Sequence, residues 1–147
     1  MTYHFKFAKV MSVKENEKSR LLAEYNESVD KFEKVGQRLY DKLKQKEEML
    51  EKQANRMMFG VSILEVKNFQ QFLTNIEHAI TLLQKEVMIA RQAMYVKEER
   101  LQEKNIEVKK FEKIKGNDYH RYVQSQKELE NKLMDEVSIQ QYMLKGH

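Results

Sequence analysis

Apolar residues recur along this chain in steps of three and four. One series runs Leu22, Tyr25, Val29, Phe32, Gly36, Leu39, Leu43, Lys46, Leu50, Gln53 and Met57, with eight of its eleven positions apolar. A second runs Val66, Phe69, Leu73, Ile76, Ile80, Leu83, Val87, Ala90, Met94, Lys97, Leu101, Lys104, Val108, Phe111 and Lys115, with twelve of fifteen apolar. Chance placement in a chain that is 41% hydrophobic would fill about six of those fifteen. A repeat averaging 3.5 residues keeps its stripe on one side only when two helices wind around each other. The pattern predicts an all-α chain, with two long helices forming an antiparallel coiled-coil hairpin and a C-terminal helical overhang.

The antiparallel arrangement follows from the punctuation between the two series. Gly60 comes directly after Met57, Met58 and Phe59, where a helix-terminating glycine belongs. Ser62 and Glu65 have the spacing of a capping box, and Val61 and Val66 that of a hydrophobic staple. A connection of about three residues makes the two helices antiparallel neighbours. A second box, Ser12 with Glu15, opens the first helix, with Tyr3, Phe5, Phe7 and Val10 extending the apolar pattern ahead of it. The expected layout is one coiled-coil domain over residues 1–147: helix 1 about 12–59, turn 60–62 and helix 2 about 63–144.

A turn at Gly60 sets the N-terminus beside residues near 118 and leaves the chain beyond about His120 without an intrachain partner. That overhang carries a looser apolar face: Val123, Leu129, Leu133, Val137, Tyr142 and Met143. Gly116, Asn117 and Asp118 either end helix 2 or kink it. A mid-helix glycine costs only ~1 kcal/mol, which favours continuation with a kink.

Composition sharpens this picture by exclusion. The chain has no Pro, four Gly and no Cys, so loop-rich β folds, disulfides and thiolate chemistry are set aside. Its 27 Lys+Arg and 23 Asp+Glu are interleaved, as in the stretch from Lys97 to Lys115 with seven basic and five acidic residues. A nucleic-acid site gathers one sign on one face, so no nucleic-acid partner is expected despite a net charge of +4. The first ten residues lack a signal-type apolar segment. The longest nearly uncharged stretch, Met57 to Leu64, is far too short for a membrane span. The expectation is a cytoplasmic protein with no direct membrane span.

Catalytic patterns are missing. No phosphate-binding glycine loop is present, and Gly60-Val61-Ser62 does not continue as a nucleophile elbow because Leu64 stands where a second Gly is required. His4, His78, His120 and His147 are not spaced as zinc ligands. Neither an enzyme nor a cofactor is expected. The informative residues lie off the seam. Leu82, Ile89 and Val96 fall on a position that a two-helix coil leaves in water, with Met88 and Tyr95 beside them. Two occupants fit that second stripe: a third helix, from the chain's own overhang or another copy, or an adaptable partner protein. Phe72 flanks the seam as an edge shield or a binding anchor. Gly36 removes a side chain from a core position.

Four stretches stand out: Tyr3-His4-Phe5-Lys6-Phe7-Ala8-Lys9-Val10; Asn68-Phe69-Gln70-Gln71-Phe72-Leu73 continuing through Ile76 and Ala79-Ile80; Asn105 to Lys113; and Met134-Asp135-Glu136-Val137-Ser138-Ile139. Together they resemble the flagellar FliJ family. The resemblance covers the whole chain. It implies a non-enzymatic coiled-coil stalk and chaperone of the flagellar type III export apparatus. Such a protein would couple the hexameric export ATPase to the cytoplasmic domain of the export gate membrane protein and assist export chaperones or subunits. It would sit peripherally on the cytoplasmic face of the inner membrane at the flagellar base. The resemblance assigns gate binding to Phe72, Ile76, Ala79 and Leu83. For the ATPase ring the exposed end is the candidate: Tyr119, Val123, Leu129, Leu133 and Val137. The rival reading is a structural coiled-coil scaffold or adaptor of another secretion or cytoskeletal assembly. A tight dimer in sedimentation would favour the scaffold, and a monomer the stalk.

Overall fold

The computed structural model describes residues 3–145. Two helices joined by one turn make up nearly all of it: α1, Ala8–Met57, of 50 residues, and α2, Ile63–Lys145, of 83 residues. The described residues contain no strand. With no proline anywhere, nothing in the sequence removes an amide donor from either helical ladder.

The helix α1 opens at Ala8, four residues ahead of the expected start. The Phe5 carbonyl accepts the Ala8 N–H at 3.2 Å and the Phe7 carbonyl accepts the Met11 N–H at 2.9 Å. The Ser12–Glu15 pair therefore lies inside the helix and caps nothing. Packing does the work of the hydroxyl cap: Phe5 is buried, and Phe7 meets Phe111 of α2 edge-on at 6.3 Å.

Helix α1 ends at Met57, and Met58–Ser62 form the turn, two residues longer than expected. Met57 and Arg56 carbonyls accept the Gly60 and Phe59 N–H groups at 3.3 and 3.0 Å. Gly60 adopts φ 88°, the left-handed conformation that a Cβ disfavours. Ser62 Oγ accepts the Glu65 N–H at 3.2 Å, which is half of the capping box. The Glu65 carboxylate turns instead to Arg56, 3.2 Å away in the last turn of α1. Each of these charges also suits its own helix end, the cation at a C-terminus and the anion at an N-terminus.

The chain forms two compact units. One, unit 2, spans Arg20–Gln102. The other, unit 1, joins the chain up to Ser19 to the chain from Glu103 onward. In unit 2 the helices are antiparallel, with Glu24 against Lys97, Lys46 against Glu77 and Arg56 against Glu65. Its most buried apolar side chains are Val35, Ile76, Ile80 and Ala90. In unit 1 Lys14 meets Glu107, Glu17 meets Lys104 and Tyr3 meets Asp118, again antiparallel. Phe5, Met11 and Val108 are buried there, Val108 at 2% exposure.

Every member of the α2 series from Val66 to Phe111 is buried or half-buried, and only Lys115 is exposed. The α1 series holds at Phe32, Leu39, Lys46 and Gln53 but leans toward Val35, Lys42 and Met49, leaving Leu43 and Leu50 more exposed. Gly36 explains the lean: it has no side chain to bury, and its neighbour Val35 enters the core in its place. Helix α2 passes through Gly116, Asn117 and Asp118 without a break.

Candidate interaction surfaces

Four seam positions carry lysine where the heptad asks for an apolar residue, and three of them meet a glutamate of the other helix. Lys46 Nζ lies 3.4 Å from Glu77, Lys97 Nζ 3.1 Å from Glu24, and Lys104 Nζ 2.7 Å from Glu17. Lys104 also reaches Glu107 at 3.1 Å, and Lys14 reaches the same Glu107 oxygen at 3.1 Å. The hydrogen bond from Lys104 holds Glu17 below the usual carboxylate range. Hydrogen bonds from Lys104 and then Lys14 do the same for Glu107, and that from Lys97 for Glu24. Lys104 is raised in turn by its bonds to Glu17 and Glu107. Polar pairs inside a coiled-coil seam contribute alignment more than net stability, because a slipped register would leave them unpaired.

Unit 1 closes on an aromatic clasp. Tyr3 sits 5.2 Å from the ring centres of both Tyr119 and Tyr122. Its hydroxyl donates to Asp118 Oδ2 at 2.8 Å. Burial, reinforced by the Asp118 carboxylate, pushes the Tyr3 phenol up to about 12. Tyr3, Met11 and Tyr119 border a cavity of ≈ 510 Å³ over Gly116, where an added Cβ would meet nothing within 4 Å. Of the residues assigned to the ATPase ring, Tyr119 thus has one face on Tyr3, and Val123 is half-buried. Leu129, Leu133 and Val137 are exposed, as is every residue from Lys127 to Lys145.

In unit 2 the four residues that the resemblance assigns to gate binding share one face of α2 but differ sharply in availability. Phe72 is 62% exposed and borders a shallow hollow of ≈ 230 Å³ with Asn68, Gln71 and Asn75. Ile76 is only 6% exposed and belongs to the core, while Ala79 and Leu83 are half-buried. Phe72 and its polar neighbours therefore form the accessible part of that set. The outer stripe is bare at Leu82, Met88, Ile89 and Tyr95, with Val96 half-buried. Ile89 edges a groove of ≈ 520 Å³ walled by Asp30, Lys31, Lys34 and Glu86 over Val35 and Ala90. Among the described residues no group of His, Asp and Glu could hold a metal ion. His147 lies outside them.

The family model described as Flagellar FliJ protein matches residues 3–147. The chain belongs to the FliJ family. It is also 41% identical over 147 residues to the Flagellar FliJ protein of Bacillus subtilis (strain 168), with the whole of both chains aligned. No solved structure matches it. Membership confirms the resemblance seen in the sequence, and it makes the chain a flagellar protein of the export apparatus.

In the sequence of this FliJ chain the seam lysines stand as gaps in the apolar series. The signal that could have found their role was available: Glu17, Glu24 and Glu77 stand nearly as far before or after residue 60 as their lysine partners. In the sequence Asp118 stands only as part of a helix interruption. Its partner Tyr3 is within one residue of its mirror position across the turn, and a tyrosine facing an aspartate across a seam is a hydrogen bond in waiting.

Proposed function

We propose that the chain is a non-enzymatic stalk of flagellar protein export that couples the hexameric export ATPase to the cytoplasmic domain of the export gate and assists delivery of export chaperones or subunits. FliJ membership supports the setting. The observation that supports the coupling is a pair of bare surfaces on one chain. Leu129, Leu133 and Val137 on the overhang are exposed in unit 1, and Phe72 is exposed in unit 2. A formed helix with an unpartnered apolar face suits insertion into a ring, where hydrophobic contact is the main driving force. An asymmetric coil presents a different face to each subunit of a ring, so it can bias their conformations unequally through differential contacts. Phe72 serves as the anchor for the gate, with Ala79 and Leu83 at its edge and Ile76 supporting them from the core. The protein would work in the cytoplasm, peripherally on the inner face of the membrane at the flagellar base.

Hydrolysis by the export ATPase, measured with and without this protein, tests the reading. Stimulation by the full chain, lost in a Leu129→Asp, Leu133→Asp double variant that keeps its helical dichroism, is the expected result. Equal stimulation by the variant would remove the overhang from the mechanism.

A further inference from the structure

The stretch that turns α1 into α2 serves neither the seam nor the surfaces described above. Phe59 is 90% exposed, Met58 83% and Ile63 79%, with Leu64 and Met57 also open to solvent. Gly60 and Ser62 complete a run of eight residues, Met57 to Leu64, without one charge. Large apolar side chains so grouped on a convex turn find no partner in the chain itself and mark a contact with something else.

We infer that this turn dips into the headgroup–acyl boundary of an anionic lipid bilayer. Three observations select lipid over a protein groove. The first is charge. Lys52, Arg56 and Lys67 flank the apolar run, exposed, against two acids, Glu51 and Glu65, the second of which Arg56 already holds at 3.2 Å, so the cations stay in excess there. Cations at that level meet phosphates while the apolar tip enters the acyl layer, the arrangement of interfacial anchors. The next acids up α1, Glu48 and Glu47, begin about 13 Å from Met57, beyond the roughly 5–10 Å that an interfacial segment enters. The second is the backbone. Four amides in and beside the turn are paired within the chain: Arg56 and Met57 carbonyls take the Phe59 and Gly60 amides, and Ser62 takes the Glu65 and Val66 amides with its hydroxyl and carbonyl. Each such pair lowers the cost of leaving water, and a segment that only dips into the interface keeps its other polar groups within reach of headgroups and water. The third is composition. The run offers one hydroxyl, already used in capping, and otherwise only apolar side chains, the flexible Met57 and Met58 and the aromatic Phe59 among them, which suit a fluid phase better than a shaped, hydrogen-bonding pocket. No helix among the described residues is long and apolar enough to cross a membrane, so the contact is a dip and not a span.

The chain contains no tryptophan, so Phe59→Trp supplies a single reporter at the tip. The full chain is mixed with vesicles of phosphatidylcholine alone, or of phosphatidylcholine and phosphatidylglycerol in equal parts. The expected result is flotation with the anionic vesicles and a shift of the Trp emission to shorter wavelength, quenched by brominated acyl chains. Met58→Ser with Phe59→Ser, which adds no charge, lowers partitioning by about 100-fold or more, from roughly 10- to 100-fold for each apolar side chain. Lys52→Gln and Lys67→Gln each lower it by about fivefold, an effect that salt also produces. Circular dichroism of each variant matches that of the parent. The inference is overturned if the chain stays unbound with both vesicles, or if the double Ser variant floats as well as the parent. It is equally overturned if the Trp shift follows protein concentration without vesicles, which makes the tip a contact between copies. A shift produced only by the soluble domain of the export gate would assign the tip to that protein. None of these readouts involves the ATPase, so the stalk reading stands or falls separately.

Discussion

The Tyr3 hydroxyl donates to Asp118 Oδ2 at 2.8 Å, joining two residues 115 positions apart in the chain. The bond is made by the neutral phenol, and its setting against Tyr119 and Tyr122 further disfavours a phenolate. The phenol titrates near 12 when folded and near its ordinary 10 when unfolded. A group whose folded value is raised contributes stability that is complete below about pH 10 and is lost as pH climbs toward 12. In a near-ultraviolet absorbance titration, one of the seven tyrosines should therefore ionise late. Tyr3→Phe removes that late step, and Asp118→Asn brings it earlier.

At the acid end the sign reverses. Glu17, Glu24 and Glu107 are held below the ordinary carboxylate value by hydrogen bonds from Lys104 and Lys97. Their contribution is complete above the unfolded value of about 4.3 and disappears as pH falls through the lower folded values. Thermal melts followed by circular dichroism should hold steady from neutral pH down to about 5 and drop below about 4. Glu17→Gln lowers the melting temperature at neutral pH and weakens the acid-induced drop.

The three described glycines divide into two kinds. Gly36 and Gly116 lie within helices, and a Cβ at either would meet nothing within 4 Å. Ala at each should stabilise by about 0.5–1 kcal/mol through helix propensity alone. Gly60, at φ 88°, has as much room but the wrong backbone conformation, and Ala there should cost about 1–2 kcal/mol. Urea denaturation separates the two outcomes.

Phe72 and Ile76 lie one turn apart on α2 and should answer alanine in opposite ways. Ile76 is buried, and its truncation should cost about 2–5 kcal/mol. Phe72 is largely exposed, so Phe72→Ala should leave stability within about 0.5 kcal/mol while weakening binding of the gate domain in a calorimetric titration. Unchanged affinity in a well-folded Phe72→Ala protein would clear Phe72 of the role.

Deletion of the overhang needs a boundary that spares the clasp. A cut at 120 would remove Tyr122, whose ring lies 5.2 Å from Tyr3. A chain ending at Gln126 keeps the clasp and loses Leu129, Leu133 and Val137. It should melt near the parent's temperature yet fail to stimulate the export ATPase.

The α2 seam was readable residue by residue because apolar burial is what fixes a heptad, and Val66 to Phe111 obey it. The α1 seam was readable only to within one residue, because Gly36 gives no sign of which neighbour will take its place. Ser12 misled because a capping pair is a local signal, and the packing of Phe5 and Phe7 against α2 is not. The same limit applied to the surfaces. The spacing of Phe72, Ile76, Ala79 and Leu83 put them on one face, but how far each side chain sinks into the seam depends on the facing helix. Leu129, Leu133 and Val137 were legible as an unpartnered face because the turn at Gly60 leaves α1 too short to cover them.

Helix α2 continues for about twenty residues past the clasp that Tyr3 makes with it, exposed throughout from Lys127 to Lys145. A free peptide of that length would struggle to start its first turn, since nucleation is the expensive step. Here the start has already been made, templated by the paired stretch before it. A binding partner therefore receives a ready-made strut and does not have to order a loose chain, so more of the contact energy is left for affinity.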